Sequence, residues 1–190
     1  MVELLRGIYF NVPGRAEAVR LMYALAGVAL EDMTVPSKEE WLSDIKPRMT
    51  ASGELPFSQL PQFVLGLVPS DDLRAYEGQM VVAELASIQD LMYYVFRGYI
   101  KETEEPSLVS SRMIGLSYVD RMVAKEHGPF FAGDTPTYVD CIAVAILSTL
   151  VKRGFIKLSD FPALEELHTA FTALPAIQAY MTRDEVDEME

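Results

Sequence analysis

The sequence holds one cysteine and two histidines in 190 residues, and only 16 basic side chains against 28 acidic ones. A lone Cys141 excludes an internal disulfide framework. Its position in the apolar run CIAVAILSTLV makes it a small core residue. His127 and His168 lie far apart, and neither stands in a metal-ligand spacing such as H-E-x-x-H or C-x-x-C, so no metal is expected. G-x-S-x-G, G-x-G-x-x-G and the P-loop are all missing, and no side chain is marked as a covalent nucleophile. The net charge of −12 argues against a sequence-independent nucleic-acid binder, which needs clustered Lys and Arg to displace counterions from phosphate. No run approaches the roughly eighteen apolar residues of a membrane span, and the most apolar stretch stops at Lys152. Glu3 and Arg6 interrupt what a signal peptide needs as an apolar core. A soluble cytoplasmic protein is the expectation, with no membrane and no nucleic-acid partner.

What is present is enough for a packed core. Hydrophobic residues make up 50% of the chain and charged residues 23%, in a length that suits one large domain or two small ones. Residues 3–10 read as a strand with apolar residues on both faces. A helix follows from about Arg15. Val19, Met22, Tyr23 and Ala26 recur there at i, i+3, i+4 and i+7, and Gly27 stands just past its end. A second strand is predicted over 28–35, then a polar segment with Trp41 and Lys46, then a third strand PQFVL entered through Leu60-Pro61. That order predicts a βαβ unit whose first two strands are parallel.

From about residue 73 the strand signals vanish. Helices are predicted over 73–101, 107–126, 138–151, 162–173 and 175–182, ahead of an acidic tail. Thr137 and Asp140 have the T-x-x-D spacing of a capping box. The expected organisation is an α/β domain over 1–70 and an all-α domain over 73–190.

One stretch raises a chemical question. In IYFNVPGRAE, Tyr9 ends a strand, the chain turns through Pro13-Gly14, and Arg15 opens a helix. Taken alone, the pair reads as a core aromatic with a wet tip beside a surface charge. The remaining motifs change that reading. YFNVPGRAEAVRLMYALAGVALED, EEWLSDIKPRM, LPFSQLPQF, FFAGDTPTYVDC and FPALEELHTAFTALPAIQAYMTR occur in order over nearly the whole chain. Together they resemble sigma-class cytosolic glutathione transferases, the class of the haematopoietic prostaglandin D synthases.

The resemblance implies a thioredoxin-like N-terminal domain, an all-α C-terminal domain and glutathione as co-substrate. It implies Tyr9 as the phenol that stabilises the glutathione thiolate and Arg15 as a buried or half-buried organiser of the site. Trp41 and Lys46 would hold the glycyl end. Four residues separate them where three is commoner in the class, which shifts the register of Lys46. Leu60, before a cis Pro61 and flanked by Gln59, would pair with the cysteinyl backbone. Phe10, Val12, Tyr94 and Tyr99 would wall an electrophile site between the domains, and the assembly would be a homodimer.

The energetics are consistent with one phenol acting on a guest thiol. A free thiol has a pKa of about 8.5, and lowering it by about two units takes about 2.7 kcal/mol. A hydrogen bond to a charged group supplies about 1.5–3 kcal/mol and a helix N-terminus about 0.3–1 kcal/mol more. The substrate then carries the nucleophile, and the protein needs no catalytic cysteine.

The pattern breaks after PQFVLGLV. The family continues through a fourth strand to Gln-Ser and a helix that grips the γ-glutamyl carboxylate. Here PSDDLRAY leads almost at once to the long helix, with about twenty residues missing or compressed. Two alignments fit. In one, Ser70 is the N-cap and anion contact of a truncated helix whose apolar face is Leu73 and Tyr76; Asp71 and Asp72 count against it. In the other, the fourth strand and third helix are absent and 67–72 is linker. Either way the γ-glutamyl subsite and the dimer interface are weakened. The leading expectation is a detoxifying glutathione transferase acting on an apolar electrophile. Its rivals are a catalytically degenerate binding or structural protein and a glutathione-dependent prostaglandin-type isomerase. Cys141, in the helical half, speaks against a thiol–disulfide oxidoreductase.

Overall fold

The computed structural model describes residues 5–52, 72–99, 106–125 and 127–182. It divides into two compact units, Met1–Gly66 with Ala176–Glu190, and Leu67–Pro175.

In the first unit, β1 (Leu5–Phe10) pairs parallel with β2 (Leu30–Val35), Leu5 opposite Leu30 and Phe10 opposite Val35. The crossover between them is a 3-10 turn at Gly14–Ala16 followed by α1 (Glu17–Ala26). The α-helix therefore opens at Glu17, whose N–H donates to the Pro13 carbonyl at 2.9 Å, and not at Arg15. Gly27 ends it in the left-handed region at φ 63°, with its N–H turned back to Ala24 and Tyr23.

The buried stripe of α1 is rotated from the predicted one. Ala16, Arg20 and Tyr23, spaced i, i+4 and i+7, are buried with Leu21, whereas Ala26 is exposed and Val19 and Met22 are half-buried. The cause is an arginine facing inward, described below.

After β2, the Ser37 hydroxyl accepts from the Glu40 N–H at 3.1 Å and starts a helical segment. This runs as α2 (Lys38–Glu40), a π-turn at Trp41–Ile45 and α3 (Lys46–Ser52). Val35, Trp41 and Ile45 form the centre of a small core, with Ile8, Phe10 and Met49 packed against it. The C-terminal α8 (Pro175–Met181) adds Ile177, fully buried, and the Tyr180 hydroxyl, which donates to Glu17 Oε1 at 2.9 Å.

The second unit is helical: α4 (Asp72–Phe96), α5 (Pro106–Val123), α6 (Tyr138–Lys152) and α7 (Pro162–Thr172). α6 packs on α4 and α7, and α5 packs on the same two. Nine of the fifteen α6 residues are buried, as an apolar run without a polar face requires. The predicted capping box is formed. Asp140 Oδ2 accepts from the Thr137 N–H at 2.7 Å and hydroxyl at 2.8 Å, and Oδ1 accepts from the Phe131 N–H at 2.8 Å. Burial pushes the Asp140 carboxyl above its ordinary range, against the pull of those hydrogen bonds. The neighbouring Cys141 is fully buried, and desolvation followed by the Asp140 charge raises its thiol far out of the reactive range.

Two expectations about α4 are corrected. It ends at Phe96 and not near 101, because Gly98 at φ 69° turns the chain back, with the Gly98 N–H on Val95 and the Tyr99 N–H on Tyr94. At its start, Leu73 and Tyr76 are 67% and 62% exposed, so they are not the buried face of a short separate helix. The buried residue there is Arg74. Its guanidinium donates to the Phe131 and Met122 carbonyls and to Glu77, and lies 3.8 Å over the Phe131 ring. Among the described residues, no helix is long and apolar enough to cross a membrane, and no cluster of His, Cys, Asp or Glu is arranged to hold a metal ion.

Candidate functional site

The sequence puts Tyr9 one residue before the end of β1, and the parallel pairing fixes it opposite Thr34. Its side chain is half-buried, edge-on to Phe10 with ring centroids 5.8 Å apart. The backbone N–H of Arg15 donates to its hydroxyl oxygen at 3.4 Å, in an exposed position. That contact occupies an acceptor lone pair and leaves the phenol's own O–H to donate elsewhere. On the inner side of the ring, the cavity between β1 and α1 measures about 10 Å³, at the lower limit for one water.

Gly14 makes this geometry possible. It adopts φ +43°, and a Cβ there would lie 3.0 Å from both Cε1 and Oη of Tyr9. Composition and motif reading treat Gly14 only as a turn former; its second role, a bare backbone against the phenol, has no local sequence signal.

The two arginines of this segment differ in burial. The Arg15 side chain is exposed, which corrects the expectation of a buried organiser. Arg20, five residues on, is the buried arginine of the segment, only 4% exposed. Its Nε donates to Asp32 Oδ2 at 2.6 Å and one terminal nitrogen to Asp32 Oδ1 at 3.4 Å. The other terminal nitrogen donates to the carbonyls of Val12 at 2.9 Å and Pro13 at 3.4 Å. Glu17 Oε2 lies 3.7 Å away. Burial would lower the guanidinium's pKa; the hydrogen bond and charge of Asp32 outweigh it and hold the group above its ordinary value. Sequence reasoning missed Arg20, although one signal exists: it is the charged residue at i+4 from Ala16 and i−3 from Tyr23.

The helical segment is irregular between Trp41 and Lys46. Were the segment a plain α-helix, a residue at i+5 would stand about 140° round from residue i. Here the Lys46 N–H donates to the Trp41 carbonyl, an i→i+5 bond that widens one turn and absorbs the extra residue. The wider turn lessens that angular offset. Trp41 itself is only 8% exposed and packs edge-on to Phe10 at 6.1 Å, in the core cluster. Lys46 is half-buried, without an ion-pair partner among the described residues.

Of the four residues expected to wall an electrophile site, Phe10 is half-buried on the Trp41 cluster. Val12 is half-buried, with its N–H on the Phe10 carbonyl at 2.7 Å and its own carbonyl on Arg20. In the second unit, Tyr94 and Tyr99 are 47% and 69% exposed, with ring centroids 6.3 Å apart because the Gly98 turn folds one back beside the other. Gln59, Leu60, Pro61 and Ser70 lie outside the described residues.

Residues 89–184, about half the chain, match the family model "Glutathione S-transferase, C-terminal domain". The chain is 27% identical over 196 residues to Glutathione S-transferase 4 of Caenorhabditis elegans, covering 92% of this chain and 93% of that protein. It is 25% identical to Glutathione S-transferase P 2 of Bufo bufo, over 91% of this chain and 90% of that one. Among solved structures, a Caenorhabditis elegans glutathione S-transferase superposes with a TM-score of 0.78 at 20% identity, covering 94% of this chain and 96% of its own. Prostaglandin synthase D of Nilaparvata lugens superposes with 0.77 at 17% identity, over 97% and 100%. Rat hPGDS in complex with a quinoline does so with 0.74 at 20% identity, over 97% and 98%. With its short parallel sheet and crossover helix followed by a helical half, the chain has the thioredoxin-like N-terminal domain and helical C-terminal domain of that fold, and it belongs to the glutathione S-transferase family.

Proposed function

We propose that this protein is a sigma-class-like glutathione transferase in which the Tyr9 hydroxyl stabilises the thiolate of bound glutathione for attack on an apolar electrophile. The observation that carries the reading is the state of the phenol: mounted on β1, accepting from the Arg15 N–H, with no acceptor taking its own proton among the described residues. A donor aimed at a sulfur anion supplies about 1.5–3 kcal/mol, which brackets the 2.7 kcal/mol or so needed for a two-unit shift of the thiol.

The other assignments follow the family. Lys46 offers a point charge to the glycyl carboxylate, and Trp41 an indole N–H with an apolar wall. Arg15 contributes through its backbone N–H. Leu60 and cis Pro61, with Gln59, take the cysteinyl backbone, and Ser70 the γ-glutamyl carboxylate. Phe10, Val12, Tyr94 and Tyr99 receive the electrophile. The domains are 1–70 and 73–190, with the segment between third strand and long helix shortened. The assembly is a homodimer, the location cytoplasmic and the role detoxification.

Tyr9→Phe tests the reading. It is expected to cut turnover at neutral pH by about 10²-fold and to raise the pKa of the bound thiol toward its free value, with glutathione still binding. Unchanged rates in that variant rule the mechanism out. If the wild type is neither retained on immobilised glutathione nor eluted by free glutathione, the chain is a binding or structural member of the family. A second enzymatic reading, isomerisation of a prostaglandin-type endoperoxide, is favoured by the structural neighbours that carry prostaglandin synthase names. Product analysis with such an endoperoxide and glutathione decides between the two.

A further inference from the structure

The loop beside Tyr9 is held by two local backbone hydrogen bonds and by one buried side chain from α1. Residues 11–14 contain Pro13, which has no N–H to donate, and a glycine at positive φ. Within the turn, the Val12 N–H bonds to the Phe10 carbonyl at 2.7 Å. The Arg20 guanidinium holds the Val12 carbonyl at 2.9 Å and adds a longer bond, 3.4 Å, to the Pro13 carbonyl, which also accepts from the Glu17 N–H at 2.9 Å. That guanidinium is itself oriented by a two-point contact with Asp32, at 2.6 and 3.4 Å, across the sheet-to-helix crossover. Glu17 adds a second acidic neighbour at 3.7 Å and is tied in turn to the Tyr180 hydroxyl of α8.

We propose that Arg20 is a positioning residue for the thiol-activating phenol. Braced by Asp32, it fixes the 11–14 turn so that Gly14 seats the Tyr9 ring and the Arg15 N–H meets the Tyr9 oxygen. This rests on the transferase reading above and adds to it a residue that touches neither substrate. A planar fork is needed because three acceptors must be reached at once: the Asp32 carboxylate on one edge and two carbonyls on the other. A lysine ammonium, a point donor on a flexible stem, engages one edge and releases the other. The Arg15–Tyr9 contact is long, 3.4 Å, so a few tenths of an ångström of drift in the turn removes it.

The test uses the full chain, with Arg20→Lys and, should that variant fail to fold, Asp32→Asn, which keeps the arginine and removes half of its brace. Two quantities are read: hydrogen exchange of the Arg15 amide in the free protein, and the pKa of the thiol of bound glutathione from its thiolate absorbance. Expected are Arg15 exchange about tenfold faster or more, a thiol pKa displaced toward the free value, and kcat at neutral pH down about tenfold while KM for glutathione moves by less than about threefold. A folded variant with a lowered melting temperature but wild-type Arg15 exchange and wild-type thiol pKa overturns the proposal, since that is the signature of a merely structural arginine. If the wild type itself does not ionise the thiol, the transferase reading falls and takes the catalytic part of this proposal with it. Arg15 exchange then still decides whether Arg20 holds the turn.

Discussion

Replacing Gly14 gives the sharpest test of how the Tyr9 phenol is held. A Cβ there would stand 3.0 Å from Tyr9 Cε1 and Oη, where carbon contacts are at their best at about 3.5–4.0 Å. The ring must retreat by roughly half an ångström, and the Arg15 N–H contact, already 3.4 Å long, is lost. A second cost is separate: a residue with a side chain at φ +43° is strained by about 1–2 kcal/mol, less for asparagine, which tolerates this region. Gly14→Ala and Gly14→Asn therefore share the steric effect and differ in the backbone effect. Since a misplacement of about 1 Å is worth about 10²-fold, both variants should lose about tenfold in kcat/KM, equivalent to about 1.4 kcal/mol. Only the alanine variant should show the larger loss of stability. The assay is glutathione conjugation of a chromogenic aryl halide, with thermal unfolding in parallel. Introduced into Tyr9→Phe, Gly14→Asn should cost nothing further in turnover. Wild-type rates in both variants, or an equal loss of rate with and without the Tyr9 hydroxyl, would show that Gly14 does not position the phenol.

Asp140→Ala strips the acceptor from the buried Phe131 and Thr137 N–H groups, and at about 1–3 kcal/mol for each unsatisfied group the loss is about 3 kcal/mol. Denaturant unfolding measures it, and a loss below about 1 kcal/mol would contradict the capping-box account. His168, half-buried with Nε2 3.0 Å from the Ser148 hydroxyl, has its pKa lowered by desolvation. The unfolded chain thus takes up the proton first, and the contribution of His168 to stability is full at neutral pH and falls as pH drops through about 6.5. The stability gap between wild type and His168→Gln should narrow from pH 7 to pH 5, and a constant gap would refute this. Lys46→Ala should raise KM for glutathione about fivefold, the value of a half-exposed ion pair near 1 kcal/mol, with kcat unchanged. A fall in kcat at constant KM would move Lys46 out of the glycyl subsite.

Much of the architecture is local and was legible in the residues alone. The order strand, helix, strand requires a crossover, and a crossover makes β1 and β2 parallel. Gly27 ends α1 and the Thr137–Asp140 pair opens α6, because caps are made by groups within a few positions of one another. Tyr9 at the strand end was legible for the same reason. What only the tertiary structure decided is which of two arginines five positions apart goes inside. Helical spacing from Ala16 and Tyr23 marks Arg20 but does not supply its partner, and the guanidinium stays inside because Asp32, on the next strand, meets it there. The rotated face of α1, the bare backbone of Gly14 against a ring five residues earlier, and the π-turn that leads into Lys46 have the same origin. Each is a settlement between segments that meet only after folding, and periodicity, which counts neighbours along the chain, does not see partners across it.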